Sequence, residues 1–199
     1  MKKNIFRLHI LILILIFSCN NAQKQSDATT KPSAAGNCSY SRDEKDSAGR
    51  GIRVVSEEKF IAMEFVDTSN HSPYRGNDFF KGYLSCVKID TVLGVYFNFK
   101  VYSEAAFQFY GGIKKNNKIT FILKSGKAVE LSFGKSASGT TNLSSNLTEY
   151  SSFARIPGSQ AEKLVTEDLE RVVISWSKKD EEYMAVNHHI FIYQLQCLK

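Results

Sequence analysis

The chain lacks the local signatures by which sequences announce their chemistry. Hydrolytic nucleophile motifs, phosphate-binding loops, dinucleotide fingerprints, HExxH helices and EF-hand loops each need a fixed short spacing, and none is present. The nearest approach, GKSASG over Gly134 to Gly139, has neither the residue order of a phosphate loop nor the strand-to-helix frame around it. Like charges form no block: the formal net charge is +6, with acids interspersed among the bases, which argues against nucleic acid as a partner. The four cysteines include no CxxC pair, which argues against a zinc site built on close ligands. No apolar run is long enough to span a bilayer comfortably as a permanent anchor.

The longest such run follows a basic start, Lys2, Lys3 and Arg7, and closes at Leu11 to Cys19 as LILILIFSC. A charged opening, a short apolar stretch and a small residue at the end read as a secretion signal, so residues 1–18 are expected to be removed. Ile16-Phe17-Ser18-Cys19 resembles a bacterial lipobox. The resemblance implies that Cys19 is lipidated and becomes the new N-terminus, placing the protein in the cell envelope and facing the periplasm or the exterior. In a Gram-negative cell the outer membrane is the expected site. Loss of Lys2, Lys3 and Arg7 lowers the net charge to +3. Residues 19–37 are expected to be a lipidated tether and polar linker, too poor in apolar surface to offset the entropy of ordering. Residues 38–199 then form a single β-rich globular domain, with order expected to begin near Ile52 after the polar stretch Ser39 to Arg50.

With Cys19 assigned to the lipid, Cys38, Cys86 and Cys197 remain. In an oxidising compartment the simplest arithmetic is one disulfide and one spare thiol, with the pairing open. A bridge from Cys38 or Cys197 would clip a terminus to the body.

Strand patterns dominate the rest of the chain. Leu93, Val95, Phe97, Phe99 and Val101 alternate with Gly94, Tyr96, Asn98, Lys100 and Tyr102, the period-two mark of an antiparallel strand with one face on a core. Ile119 to Leu123 and Ala128 to Phe133 flank Ser125-Gly126-Lys127 and predict a hairpin. Further strands are expected at 52–55, 59–66, 80–89, 150–156, 172–176 and 184–198, with Ile61, Met63 and Phe65 on the apolar face of the second. Residues 134–146 read as a long mobile loop, 104–110 as a helical turn or bent strand, and 159–165 as a short helix. Thr166 is a candidate N-cap for Glu167 to Glu170. The fold class is mainly β: an antiparallel β-sandwich or strongly curved sheet with one or two short helices, or alternatively an eight-stranded β-barrel. From the SGK turn through the segment LVTEDLERVV, residues 118–178 resemble small β-rich bacterial lipoproteins of no assigned activity, a likeness that transfers no functional residue.

Two groups of residues stand out for function. Tyr96, Asn98 and Tyr102 share the face opposite the apolar set, and Tyr74 and Arg75 lie in the polar loop SPYRGND; together they form a candidate surface for a protein or glycan partner. His71 and His189, with acids such as Asp67, Asp78 or Asp90, are the alternative, a hydrolase or metal-dependent enzyme. His188 and His189 point to opposite faces if they lie in a strand, so they would not chelate one ion together. The blander reading makes His189 a hydrogen-bonded sheet histidine and Trp176 a core residue beside Ile174. The favoured expectation is therefore a membrane-tethered lipoprotein that binds a partner without catalysis, cofactor or metal. A structural part of an envelope assembly would share every one of its sequence features.

Overall fold

A computed structural model describes residues 38–64 and 78–199. Eleven strands and three short helices occupy them. The strands are β1 (Tyr40–Lys45), β2 (Gly51–Val55), β3 (Glu58–Glu64), β4 (Asp78–Ile89), β5 (Val92–Val101), β6 (Lys118–Leu123), β7 (Ala128–Ser132), β8 (Thr140–Asn142), β9 (Leu147–Arg155), β10 (Leu169–Ser175) and β11 (Asp180–Met184). The helices are α1 (Ala106–Tyr110), α2 (Gly158–Leu164) and α3 (Ile190–Gln196). The strands pair antiparallel in two sheets. The first runs β1-β2-β4-β5-β9-β8, with β3 also on β4, and the second runs β11-β10-β6-β7. This is a β-sandwich with three short helices, one more than the sequence led us to expect.

Alternation builds the interior. Val95, Phe97, Phe99 and Val101 of β5 are buried, and they meet Phe60, Phe80, Phe121, Phe133 and Tyr150 from the surrounding strands. The ring centroids of Phe97 lie 6.2 Å from Phe121 and 5.7 Å from Phe133, so the two sheets interlock through aromatics. Each fully buried ring of this size contributes on the order of 2–3 kcal/mol by leaving water. Trp176 is buried too, with its ring 5.6 Å from Phe99 and 5.1 Å from Tyr150.

The sheets also touch through backbone at two corners. Ile61 bridges to Ala185 beyond β11, and Phe133 beyond β7 bridges to Ala154 of β9. Single bridges are not ladders, so the structure is pinched at its corners without closing into the eight-stranded barrel that was the alternative. The β6–β7 hairpin forms as expected, and Gly126 takes φ +81° at its turn, a conformation that costs glycine nothing.

Several expectations change. Strand structure is already present at β1, ahead of Ile52: the polar run after Cys38 becomes an edge strand because its partner β2 supplies the ladder, even though its own side chains are mostly exposed. The supposed loop 134–146 contains β8 and is anchored by Ala137, which exchanges backbone bonds of 2.8 Å with Ile113. No helix follows Thr166. Its hydroxyl bonds back to the carbonyls of Glu162 and Lys163 at 3.2 and 3.0 Å, closing α2 instead of opening a new helix, and the chain enters β10. In β3 a register shift between Lys59 and Ile61 buries both Phe60 and Ile61, while Met63 is only partly covered. Phe65 lies outside the described residues.

The largest correction is the last segment: in place of a strand over 184–198, β11 ends at Met184 and the chain forms α3 from Ile190 to Gln196. Its buried residues, Ile190, Phe191, Gln194, Leu195 and Leu198, recur at helical spacing. Phe191 packs edge-on against Phe121 at 4.7 Å. Gln194 explains why a helix wins here. The strands β2 and β3 lie end to end along β4, with a break at Ser56 and Glu57 that leaves ladder groups of β4 without strand partners. The Gln194 side chain fills the break: its carbonyl accepts from the Cys86 N–H at 2.7 Å, and its amide donates to the Ser56 carbonyl at 3.2 Å.

The disulfide joins Cys38 to Cys197 just past α3, and Cys86, the third candidate, remains a free buried thiol. The Tyr40 hydroxyl adds a 2.8 Å bond to the Cys197 carbonyl. Thus β1, an edge strand, is tied to the helix that plugs the sandwich.

Candidate functional site on the outer sheet face

The same period of two that buries Phe97 and Phe99 sends Tyr96, Asn98 and Lys100 to the opposite face of β5, with Tyr102 just past its end. Strand register supplies their neighbours. Tyr96 sits between Ser85 of β4 and Phe153 of β9, Asn98 between Tyr83 and Ser151, and Lys100 between Lys81 and Glu149. Three short rows thus cross the middle of the first sheet on its outer side.

The rows are organised by rings. Tyr96 is 45 % exposed, and its ring lies 5.0 Å from that of Phe153, tilted by 51°. Gly94 makes this arrangement possible. A Cβ there would come within 2.3 Å of Phe153 Cζ, so only a glycine lets that ring lie across the strand. The ammonium groups of Lys100 and Lys81 stand over the rings of Tyr83 and Tyr102, at 5.4 and 5.2 Å from the centroids. Lys100 pairs with Glu149 at 3.3 Å, and Lys81 and Lys59 pair with Asp78 at 3.7 and 3.4 Å. These are long contacts for charge-assisted bonds, which shorten to about 2.8 Å when strong. In the middle row the side-chain carbonyl of Asn98 is shielded from solvent and has no hydrogen-bond partner. A shielded acceptor without a donor is costly, by about 1–3 kcal/mol.

The face gathers three residues singled out from the sequence, Tyr96, Asn98 and Tyr102. Tyr74 and Arg75 lie outside the described residues. Gly94 and Lys100 share the outward set read from the alternation of β5, whereas Tyr83, Phe153 and Lys81 were not foreseen. Their own strands alternate, but only the register between strands shows that their outward sides coincide with that of β5.

The histidines lie elsewhere. His189, just before α3, has its Nδ1 2.5 Å from Asp168 Oδ1, and Lys124 donates to the other oxygen of Asp168 at 2.7 Å. Burial opposes ionisation of Asp168, but the bonds from Lys124 and His189 outweigh it and hold the carboxyl below its ordinary range. Beside this pair, Lys127 donates to Glu167 at 2.6 Å, and His188 Nδ1 meets the Leu169 carbonyl at 2.7 Å. The acid beside His189 is Asp168 rather than Asp78 or Asp90. The missed signal is distance: Asp168 lies 21 residues away along the chain. His71 and Asp67 lie outside the described residues.

A groove of about 440 Å³ runs between the β4–β5 turn, α2 and the far end of α3. Its floor is Leu93, Val165, Leu195 and Leu198, and Asp90 stands on its rim. His189, at the opposite end of α3, is not among its lining residues. Among the described residues, no three His, Cys, Asp or Glu side chains converge as a metal site would require, and no helix is long and apolar enough to cross a membrane.

A buried polar cluster occupies the end of the sandwich near α1. The Tyr183 hydroxyl donates to Glu181 at 2.7 Å and accepts from the Trp176 indole at 3.3 Å. Burial pushes the Tyr110 and Tyr183 phenols far up and that of Tyr150 to about 12, so all three stay neutral at physiological pH. Tyr110 and Tyr150 both pack on Trp176, and the Tyr150 hydroxyl has no hydrogen-bond partner.

The class that the fold and this face define is an antiparallel β-sandwich carrying an aromatic and basic sheet surface. No family model, curated protein or solved structure matches the chain.

Proposed function

We propose that this protein is an exported lipoprotein, held in the cell envelope through a lipid on Cys19, whose β-sandwich binds a protein or glycan partner on the outer face of the first sheet without catalysing a reaction. The observation that carries this reading is the ordered set of rows around Tyr96 and Asn98, where half-exposed rings surround a shielded amide carbonyl that lacks a donor. A bound partner would supply the donor that this carbonyl lacks.

Two further features support the envelope setting. A disulfide between Cys38 and Cys197 fits an oxidising compartment. It also fits a tether, because force arriving at residue 38 passes into α3 and the core rather than peeling β1 from its edge. Asp168, by contrast, shares its carboxylate between His189 and Lys124, an arrangement that suits a surface ion cluster better than a general base awaiting substrate.

The reading is tested by capture from detergent-solubilised envelopes, with bound protein and carbohydrate both analysed, comparing the native lipoprotein with Tyr96→Ala. Partner recovery that falls in the variant is the expected result, and identical recovery would overturn the face assignment. Metabolic lipid labelling of Cys19→Ala checks the anchor: label should disappear, and label that persists removes the lipoprotein assignment.

A further inference from the structure

We infer that the occupant of the outer face of β4, β5 and β9 is a polysaccharide carrying carboxylate groups, an assignment that rests on the binding reading above. A sugar ring presents an apolar C–H face and a rim of hydroxyls, so its binding surface needs flat aromatics interleaved with hydrogen-bonding groups. The middle rows have that composition: Tyr96 and Phe153 in one, Tyr83, Asn98 and Ser151 in the next.

The order of the groups separates a glycan from a protein. Protein interfaces place apolar anchors at the centre and polar groups at the rim. Here Asn98, with its shielded amide carbonyl, lies opposite Tyr83 and two residues along β5 from Tyr96, with the exposed hydroxyl residue Ser151 on the flanking strand β9. A hydroxyl reaching between two stacked sugar units is a suitable donor for such a recessed acceptor. The site is also elongated. Outward residues on a strand repeat about every 7 Å, and Tyr96, Asn98 and Lys100 along β5, with Tyr102 just past its end, form a track for a chain rather than a socket for one unit.

Charge narrows the class further. On this face Lys59, Lys81, Lys100 and Arg155 stand against the carboxylates of Asp78 and Glu149. The contacts that Lys59, Lys81 and Lys100 make with those acids are 3.3 to 3.7 Å long, and the side chains of Lys81 and Lys100 retain 26 % and 29 % exposure. Excess positive charge with loosely held lysines complements an acidic polymer better than a neutral one.

The test is affinity electrophoresis of the full-length purified protein through gels containing polygalacturonate, alginate or hyaluronate, with dextran as the neutral control. Retardation by at least one acidic polymer and not by dextran is expected. Tyr96→Ala and Asn98→Ala should each weaken it by about tenfold or more, with far-ultraviolet circular dichroism unchanged. Lys100→Ala should weaken it severalfold and flatten its salt dependence. Retention by dextran alone, retention by none of the polymers, or equal retention of wild type and both variants overturns the inference, the last outcome marking simple ion exchange. If no polymer is retained while a protein is captured from envelopes in a Tyr96-dependent way, the glycan assignment falls and the binding reading stands. If capture also fails to depend on Tyr96, both fall.

Discussion

The two faces of the first sheet are built from the same three strands, and they could hardly differ more. Inward, β4, β5 and β9 present Phe80, Leu84, Phe97, Phe99 and Tyr150, all buried against the second sheet. Outward, the same strands present Tyr83, Tyr96, Asn98, Ser151 and Phe153, with lysines leaning over rings. Aromatics appear on both sides, so composition does not distinguish them. What distinguishes them is enclosure: inner rings are enclosed by other rings, whereas outer rings keep an exposed surface. The core face packs against the rest of the folded chain. Under the binding proposal, a partner completes the outer face.

That contrast can be broken most directly by paired truncations on neighbouring residues. Phe97→Ala should cost about 3–5 kcal/mol, measured by urea unfolding, because it empties the junction between the sheets. Tyr96→Ala, one residue away, should stay within about 1 kcal/mol of wild type; equal losses at both would mean that the outer face is structural. The termini offer a second comparison. Replacing both Cys38 and Cys197 by serine should cost about 2–5 kcal/mol, since the bond closes a loop spanning 159 positions and anchors the edge strand β1. Thermal unfolding of oxidised and double-serine proteins measures this, and a negligible difference would show that α3 and β1 hold without it.

Smaller effects sharpen the picture. Gln194→Leu should destabilise by about 1–3 kcal/mol, because the Cys86 N–H and the Ser56 carbonyl lose their side-chain partner inside the protein. Amide exchange at Cys86 should accelerate with it, a readout that simple loss of packing at α3 would leave unchanged. The smallest effect concerns acid. The folded-state pKa of Asp168 is lowered, so its contribution is present above the ordinary carboxylate value and is lost as pH falls through the folded one. Asp168→Asn should therefore remove about 1 kcal/mol or less at neutral pH and leave a shallower acid limb below roughly pH 4. An unchanged slope in acid titrations of stability would refute the role of the Lys124–Asp168–His189 cluster.

Much of the sheet architecture was legible because β5 and the β6–β7 hairpin have burial on one side only, and the alternation of their side chains records it. The same logic placed Tyr96 and Asn98 outward. It failed where two periods fit the same residues. The run from His188 to Leu198 alternates like a strand, yet its large residues also match a helical stripe, and what decided between them was the break between β2 and β3 that Gln194 fills. Thr166 misled for a related reason: its hydroxyl has carbonyls to bond in the preceding turn as well as N–H groups in the following one, and the local sequence does not say which are free.

By itself, then, the sequence determined the alternating strands, the inward set of β5, the turn at Gly126 and the outward aromatics of one strand. These are consequences of local stereochemistry and of period, which neighbouring residues carry in full. Only the tertiary structure decided that Cys38 meets Cys197 and leaves Cys86 buried, that Asp168 meets His189, and that Tyr83, Asn98 and Ser151 form one row. Those partners are far apart along the chain, and their meeting depends on strand order and register, which are set by packing the whole core at once.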